Sequence, residues 1–95
     1  MAETEQQIQS KIMKYLLLKG AVVNKTIGMS KAGWPDIIGA YKGRFIGVEV
    51  KRPGLKATKL QEFKLNELRQ AGAFVCVATS VVEVELLLDS VDVSG

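Results

Sequence analysis

Asp36 and Glu49 stand apart from everything around them. From Gln6 to Gln61 the chain carries eleven Lys and Arg, and these two carboxylates are the only acids among them, a net +9 over that stretch. Asp36 ends the run Gly33-Trp34-Pro35-Asp36, and Glu49 opens the run Glu49-Val50-Lys51. Two carboxylates and an ammonium held together can bind a hard divalent cation, position a water, and neutralise negative charge that develops during hydrolysis. The rest of the composition leaves few rivals to that chemistry. The chain of 95 residues has no His and one Cys, Cys76. Without imidazole there is no Ser-His-Asp or Cys-His triad and no His-metal site. With one thiol there is no intramolecular disulfide, zinc ribbon or CxxC redox pair. Catalysis would have to rest on carboxylates, Lys, hydroxyls or a metal bound by oxygen, for which Mg²⁺ and Mn²⁺ are the natural choices.

Such a site needs elements that bring its members together. Asp36–Tyr41 and Arg44–Lys51 read as strands flanking Lys42-Gly43, a two-residue hairpin turn in which Gly supplies positive φ. Across that turn, residues whose numbers sum to 85 face each other, so Asp36 faces Glu49. Directly opposed Cβ atoms lie about 4.5–5.5 Å apart. Like charges that close repel, and a cation between them makes the arrangement tolerable. Glu49 and Lys51 are two apart on one strand and share its face, whereas Ile37, Ile46, Val48 and Val50 take the opposite, core-like face. Pro35 lacks an amide donor and marks the start of the Asp36 strand. A second Glu-x-Lys, Glu62-Phe63-Lys64, falls on an expected helix, where residues two apart do not meet. Taken singly, Asp36 reads as a turn residue and Glu49 with Lys51 as a surface ion pair. The hairpin pairing is what favours a site.

Three helices share one start signal, a Ser or Thr followed three residues later by Glu or Gln. Thr4…Gln7 opens the first, with Ile8, Ile12, Tyr15 and Leu16 on one face and Gly20 as its stop. Thr58…Gln61 opens the second, with Leu60, Phe63, Leu65 and Leu68 apolar and Gly72 as its stop. Ser80…Glu83 opens a third, through about Asp89. Ala21–Ile27 reads as a strand, Gly28–Trp34 and Arg52–Ala57 as loops, and Ala73–Ala78 as a buried strand returning parallel to the sheet. The order is α-β-β-β-α-β-α in one domain over residues 1–95. The polar start and the short apolar runs point to a protein of the cytoplasm without a membrane span. The basic body suggests a phosphate-rich partner, although for the overall charge alone a Lys-rich solvated surface is the better explanation.

Gly33-Trp34-Pro35-Asp36 followed by Glu49-Val50-Lys51 resembles the PD-(D/E)XK nuclease superfamily, and more closely its viral-type replication–repair nuclease (VRR-NUC) family. That family's pattern has Glu on the first helix, Gly-x-Pro-Asp, a hairpin to Glu-x-Lys, and Gln in the next helix. Glu5, Gly33–Asp36, Glu49–Lys51 and Gln61 match it here, with Glu3 as an alternative first-helix acid. The resemblance implies an α/β fold with a restriction-endonuclease-like core, a mixed central sheet flanked by helices. It also implies a metal-dependent endonuclease acting on branched or double-stranded DNA in a bacterial or phage-infected cell. Compact members resemble Holliday-junction resolvases, for which a homodimer is the natural solution to two symmetric cuts.

On that resemblance, Asp36 and Glu49 hold Mg²⁺ or Mn²⁺ with the Val50 carbonyl as a further ligand. Lys51 orients or deprotonates water, or neutralises developing charge. Glu5 reaches the metal through water, or serves only as a first-turn acid at the helix dipole. Gln61 contacts the water, the metal shell or Lys51, or acts only in its capping box. Lys31, Lys42, Arg44, Arg52, Lys56 and Lys59 surround the site in sequence and grip the phosphodiester backbone, reading DNA shape and not sequence. Trp34 wedges against a base or sugar, or anchors the core. Ile27 and Met29, or the segment from Val81 to Leu88, supply a dimer surface, unless Val81, Val84 and Leu88 are ordinary core. A flap or nicking nuclease, and a non-catalytic basic DNA-binding module, are the competing functions.

Overall fold

Thr4 starts the first helix as its spacing from Gln7 predicts. In the computed structural model, which describes residues 2–28 and 32–94, Thr4 Oγ1 accepts from the Gln7 amide at 3.1 Å and Gln7 Oε1 accepts from the Thr4 amide at 2.8 Å. Helix α1 then spans Glu5–Leu18 and buries Ile8, Ile12 and Leu16. Gly20, at φ +87°, ends it. Its amide donates to the Leu17 carbonyl, and the Ala21 amide donates to that of Leu16. Strand β1, Val22–Lys25, is therefore shorter than the expected Ala21–Ile27. Ala21 closes the helix, and Ile27 and Gly28 already turn away.

Strands β2 (Ile37–Tyr41) and β3 (Arg44–Val50) form the expected hairpin, with Tyr41 opposite Arg44 and Ile37 opposite Val48. Both turn residues take positive φ, Lys42 at 49° and Gly43 at 78°, which is the twist that antiparallel strands favour. Helix α2 (Lys59–Gln70) begins with the reciprocal Thr58–Gln61 box and stops at Ala71 and Gly72. Strand β4 (Phe74–Ala78) runs parallel to β3, and helix α3 (Val81–Val93) follows. The sheet order β1-β2-β3-β4 gives the mixed sheet and the element order expected from the sequence.

Alternation along β3 divides the molecule. Ile46, Val48 and Val50 point to one face, where α1 and α3 close the core with Ile37, Tyr41 and Ala78. Each such buried Ile, Leu or Val contributes roughly 1.5–3 kcal/mol. Phe45, Gly47 and Glu49 point to the other face, which α2 covers. An added Cβ at Gly47 would lie 3.1 Å from Cγ of Pro35, so the missing side chain makes room for a buried proline directly before Asp36.

Helix α3 departs from expectation twice. It continues past Asp89 to Val93, because Val91 is buried and Asp92 accepts hydrogen bonds from the Tyr41 hydroxyl and the Lys42 ammonium. Ser80 precedes it without capping an amide. The Glu83 carboxylate instead collects the hydroxyls of Ser80 and Thr79 and the Thr79 amide. Burial pushes the Glu83 carboxyl up, but the Ser80 and Thr79 hydroxyls and nearby amides outweigh it and hold its pKa at about 2. Val84, Leu87 and Leu88 are core, Val81 packs half-buried against it, and Val82 and Leu86 stay exposed. Among the described residues, no helix is long and apolar enough to cross a membrane.

Candidate active site

The two-residue turn sets the site. Continuing the β2–β3 register by one residue from Ile37 opposite Val48 brings Asp36 opposite Glu49. Asp36 is fixed from both sides. Its Oδ2 accepts from the Val50 amide at 2.8 Å, which leaves Oδ1 for other partners. Its backbone carbonyl accepts from the Thr26 amide at 3.0 Å, and the Thr26 hydroxyl donates to the Pro35 carbonyl at 2.5 Å.

Glu49 is 1% exposed, the single buried charged residue among those described. Its Oε2 accepts from Gln61 Nε2 at 3.1 Å and lies 3.5 Å from Lys51 Nζ. Its Oε1 is buried and has no hydrogen-bond partner among the described residues. Burial pushes the Glu49 carboxyl up, and the Asp36 charge adds to this, while Lys51 opposes it; the pKa settles at about 7. Such a shift, in a group facing a second carboxylate, is a mark of functional sites. The donor set suits a hard cation. An orphaned carboxylate oxygen on Glu49 and the remaining oxygen of Asp36 are the hard ligands that Mg²⁺ or Mn²⁺ takes, and a cation would remove both the repulsion and the unsatisfied atom.

Gln61 uses both ends of its amide. Its Oε1 accepts from the Thr58 amide at 2.9 Å in the capping box while its Nε2 reaches Glu49. Gly33 lets the preceding loop sit against this helix start: its φ is +77°, and an added Cβ would come within 2.6 Å of the Leu60 carbonyl oxygen. Trp34 is half-buried with the Lys64 ammonium 5.2 Å from its ring centroid. Lys64 also pairs with Glu67, so the second Glu-x-Lys does not form a couple of its own.

Other expected site residues are not gathered here. Among the described residues no three acids or thiols converge, so Glu5 does not complete a carboxylate triad with Asp36 and Glu49. Lys42 is bound to Asp92 at 2.8 Å and lies over the Tyr41 ring. It and Arg44 sit at the hairpin tip, and the five residues from Arg44 to Glu49 span about 17 Å. Arg52, Lys56 and Lys59 are exposed between β3 and the first turn of α2, on the site's own side. Lys31 and Met29 lie outside the described residues.

Thr26 is a positioning residue that the sequence reading passed over. The β1–β2 register places it beside Asp36, but an eleven-residue connection separates the two strands, and no short-range signal sets that register. Thr26→Val removes the hydroxyl that satisfies the Pro35 carbonyl. It is expected to cost about 1 kcal/mol in denaturant unfolding and to slow cleavage.

No family model matches the sequence, and comparison with curated proteins gives no significant match. Solved structures do match. A VRR-NUC domain is 26% identical and superposes with a TM-score of 0.75, covering 90% of this chain and 94% of its own. A VRR-NUC domain protein, 22% identical, has the same fold at a TM-score of 0.70, covering 94% of this chain and 88% of its own. With its mixed sheet, its α-β-β-β-α-β-α order and this likeness over nearly its whole length, the chain resembles VRR-NUC domains and has their fold, a PD-(D/E)XK-like core.

Proposed function

We propose that the chain is a metal-dependent endonuclease that hydrolyses phosphodiester bonds in branched or double-stranded DNA, foremost a Holliday-junction resolvase acting as a homodimer. The observation that carries this reading is Glu49. A carboxylate buried to 1% exposure, with one oxygen unpartnered among the described residues and a second carboxylate opposite, is costly to maintain without a cation. The likeness to VRR-NUC domains supports nuclease-type chemistry.

Asp36 and Glu49 would hold Mg²⁺ or Mn²⁺, with the Val50 carbonyl as a further ligand. When bound, the ion supplies Lewis acidity, acidifying water and neutralising charge on the phosphate. Gln61 holds the Glu49 carboxylate from the helix side and keeps its second oxygen free. Lys51 orients the attacking water or neutralises the charge that builds on the phosphorus oxygens. The water oxygen bonds to phosphorus as the bond to the 3′-oxygen breaks. The water's proton is lost, the 3′-oxygen gains one, and a 5′-phosphate and a 3′-hydroxyl remain. Two symmetric cuts call for two copies, and the exposed Val82 and Leu86 of α3, or Ile27, offer apolar surface for pairing.

The test is cleavage of a four-way junction, a flap and plain duplex, with Mg²⁺ or Mn²⁺ and with a chelator. Chelator-sensitive cutting that favours the junction is expected. Equal rates on all three would overturn the resolvase reading and leave a less selective nuclease. Binding without cutting under any metal would leave a DNA-binding module.

A further inference from the structure

Asp36 has a second neighbourhood, on the side away from Glu49. There Gln9, Lys25, Thr26, Ile27, Gly28 and Asp36 line a hollow of about 200 Å³. Three elements meet at it: α1 through Gln9, the end of β1 through Lys25, and the start of β2 through Asp36. The register sets Lys25 opposite Ile37, one residue beyond Asp36. None of the four ion pairs among the described residues involves Lys25. Gln9 is half-buried, faces the hollow, and makes no side-chain hydrogen bond among the described residues. The hollow thus combines Lys25, whose ammonium has no ion-pair partner among the described residues, an amide donor and a wall that includes Asp36 of the candidate metal site. Lys51 and Lys25 are two strands apart, about 10 Å across the sheet, and are offset by three residues, about 10 Å more, along it.

We propose that this hollow is the subsite for a phosphodiester next to the one that is cut, with Lys25 neutralising its charge and the Gln9 amide donating to it. The proposal rests on the nuclease reading for the identity of the neighbouring phosphate. Lys25 is a compact, mobile point charge suited to a phosphate. The carboxylamide of Gln9 supplies a donor without adding charge beside Asp36. Strand continuity then requires that a backbone seated over Asp36 and Glu49 pass this hollow on one side. Gln9 also follows Glu5 by one helical turn, so the face of α1 expected to serve the site does reach it, through an amide.

The test separates binding from cleavage. Affinity for a four-way junction is measured with chelator present over a range of salt, for wild type, Lys25→Ala, Gln9→Ala, Gln9→Glu and Lys14→Ala. Lys14 is an exposed α1 lysine that lines a different surface, with Glu3 and Gln7, and serves as the charge-matched control. Lys25→Ala is expected to bind about tenfold more weakly at low salt and to lower the slope of log affinity against log salt by about 0.9, one phosphate's worth. Gln9→Ala is expected to bind more weakly than wild type, and Gln9→Glu more weakly still, because it sets a carboxylate against the phosphate. Equal effects of Lys25→Ala and Lys14→Ala, or an unchanged salt slope in Lys25→Ala, would overturn the subsite. Loss of the nuclease reading would appear separately, as wild type that binds but does not cut, and the binding comparison would still decide this proposal.

Discussion

Asp36→Asn is expected to lower cleavage by on the order of 10³-fold or more, while the protein stays folded and binds junction DNA as well as wild type or better. The substitution keeps size and shape and still offers an oxygen to the Val50 amide, the bond that Oδ2 makes at 2.8 Å. What it removes is the negative charge that, with Glu49, would attract a divalent ion. Metal-free binding gains because that charge also repels phosphate. Lys51→Ala, which deletes the ammonium 3.5 Å from Glu49, is expected to lose roughly 10²–10⁴-fold in rate. Single-turnover cleavage with saturating enzyme and Mg²⁺ separates rate from affinity. An Asp36→Asn protein that cuts within tenfold of wild type would remove Asp36 from the chemistry.

Glu49→Gln is expected to raise the stability of the metal-free protein at pH 8 even as it abolishes cleavage. The Glu49 carboxyl is pushed up to about 7, by burial first and by Asp36 second. A carboxyl raised above its unfolded value favours the folded state while it is protonated. The contribution is full below about pH 4.5 and is lost as pH rises to about 7. Across that window the burden amounts to roughly 3 kcal/mol at most. Metal-free wild type should therefore lose stability to denaturant between pH 5 and pH 8, and Glu49→Gln should lose much less. Mg²⁺ at saturating concentration should restore wild type at pH 8 by linkage and leave the variant unmoved. Parallel pH profiles for the two proteins would refute this account of Glu49.

The parts of the site that could be read from the residues are those set by short-range geometry. A two-residue turn at Lys42-Gly43 leaves one register for the hairpin, so Asp36 and Glu49 could be paired without a structure. The reciprocal side chain and amide bonds at Thr4–Gln7 and Thr58–Gln61 are equally local. Distance along the chain is a poor guide to distance in space. Lys42 and Arg44 adjoin the site in sequence, but a hairpin carries its turn to the far end of the sheet. Thr26 and Lys25 come close to Asp36 through the β1–β2 register, which no nearby turn determines. Ser80 matched the capping pattern, yet Glu83 draws its hydroxyl and the Thr79 groups to itself, so the pattern was present without its bond. The end of α3 was misplaced because Asp92 is held by Tyr41 and Lys42, fifty residues away.

Gln61 makes two residues that are interchangeable elsewhere unequal here. At the third position of a helix, Glu closes a capping box as well as Gln does. Behind this helix, however, the same side chain must also present a hydrogen to Glu49 Oε2 at 3.1 Å. Glutamate would meet that oxygen with a third negative charge and no donor. The choice of amide over acid at one helical start is thus dictated by the sheet face that the helix covers. Any redesign that improves α2 on helical grounds alone would have to leave that position untouched.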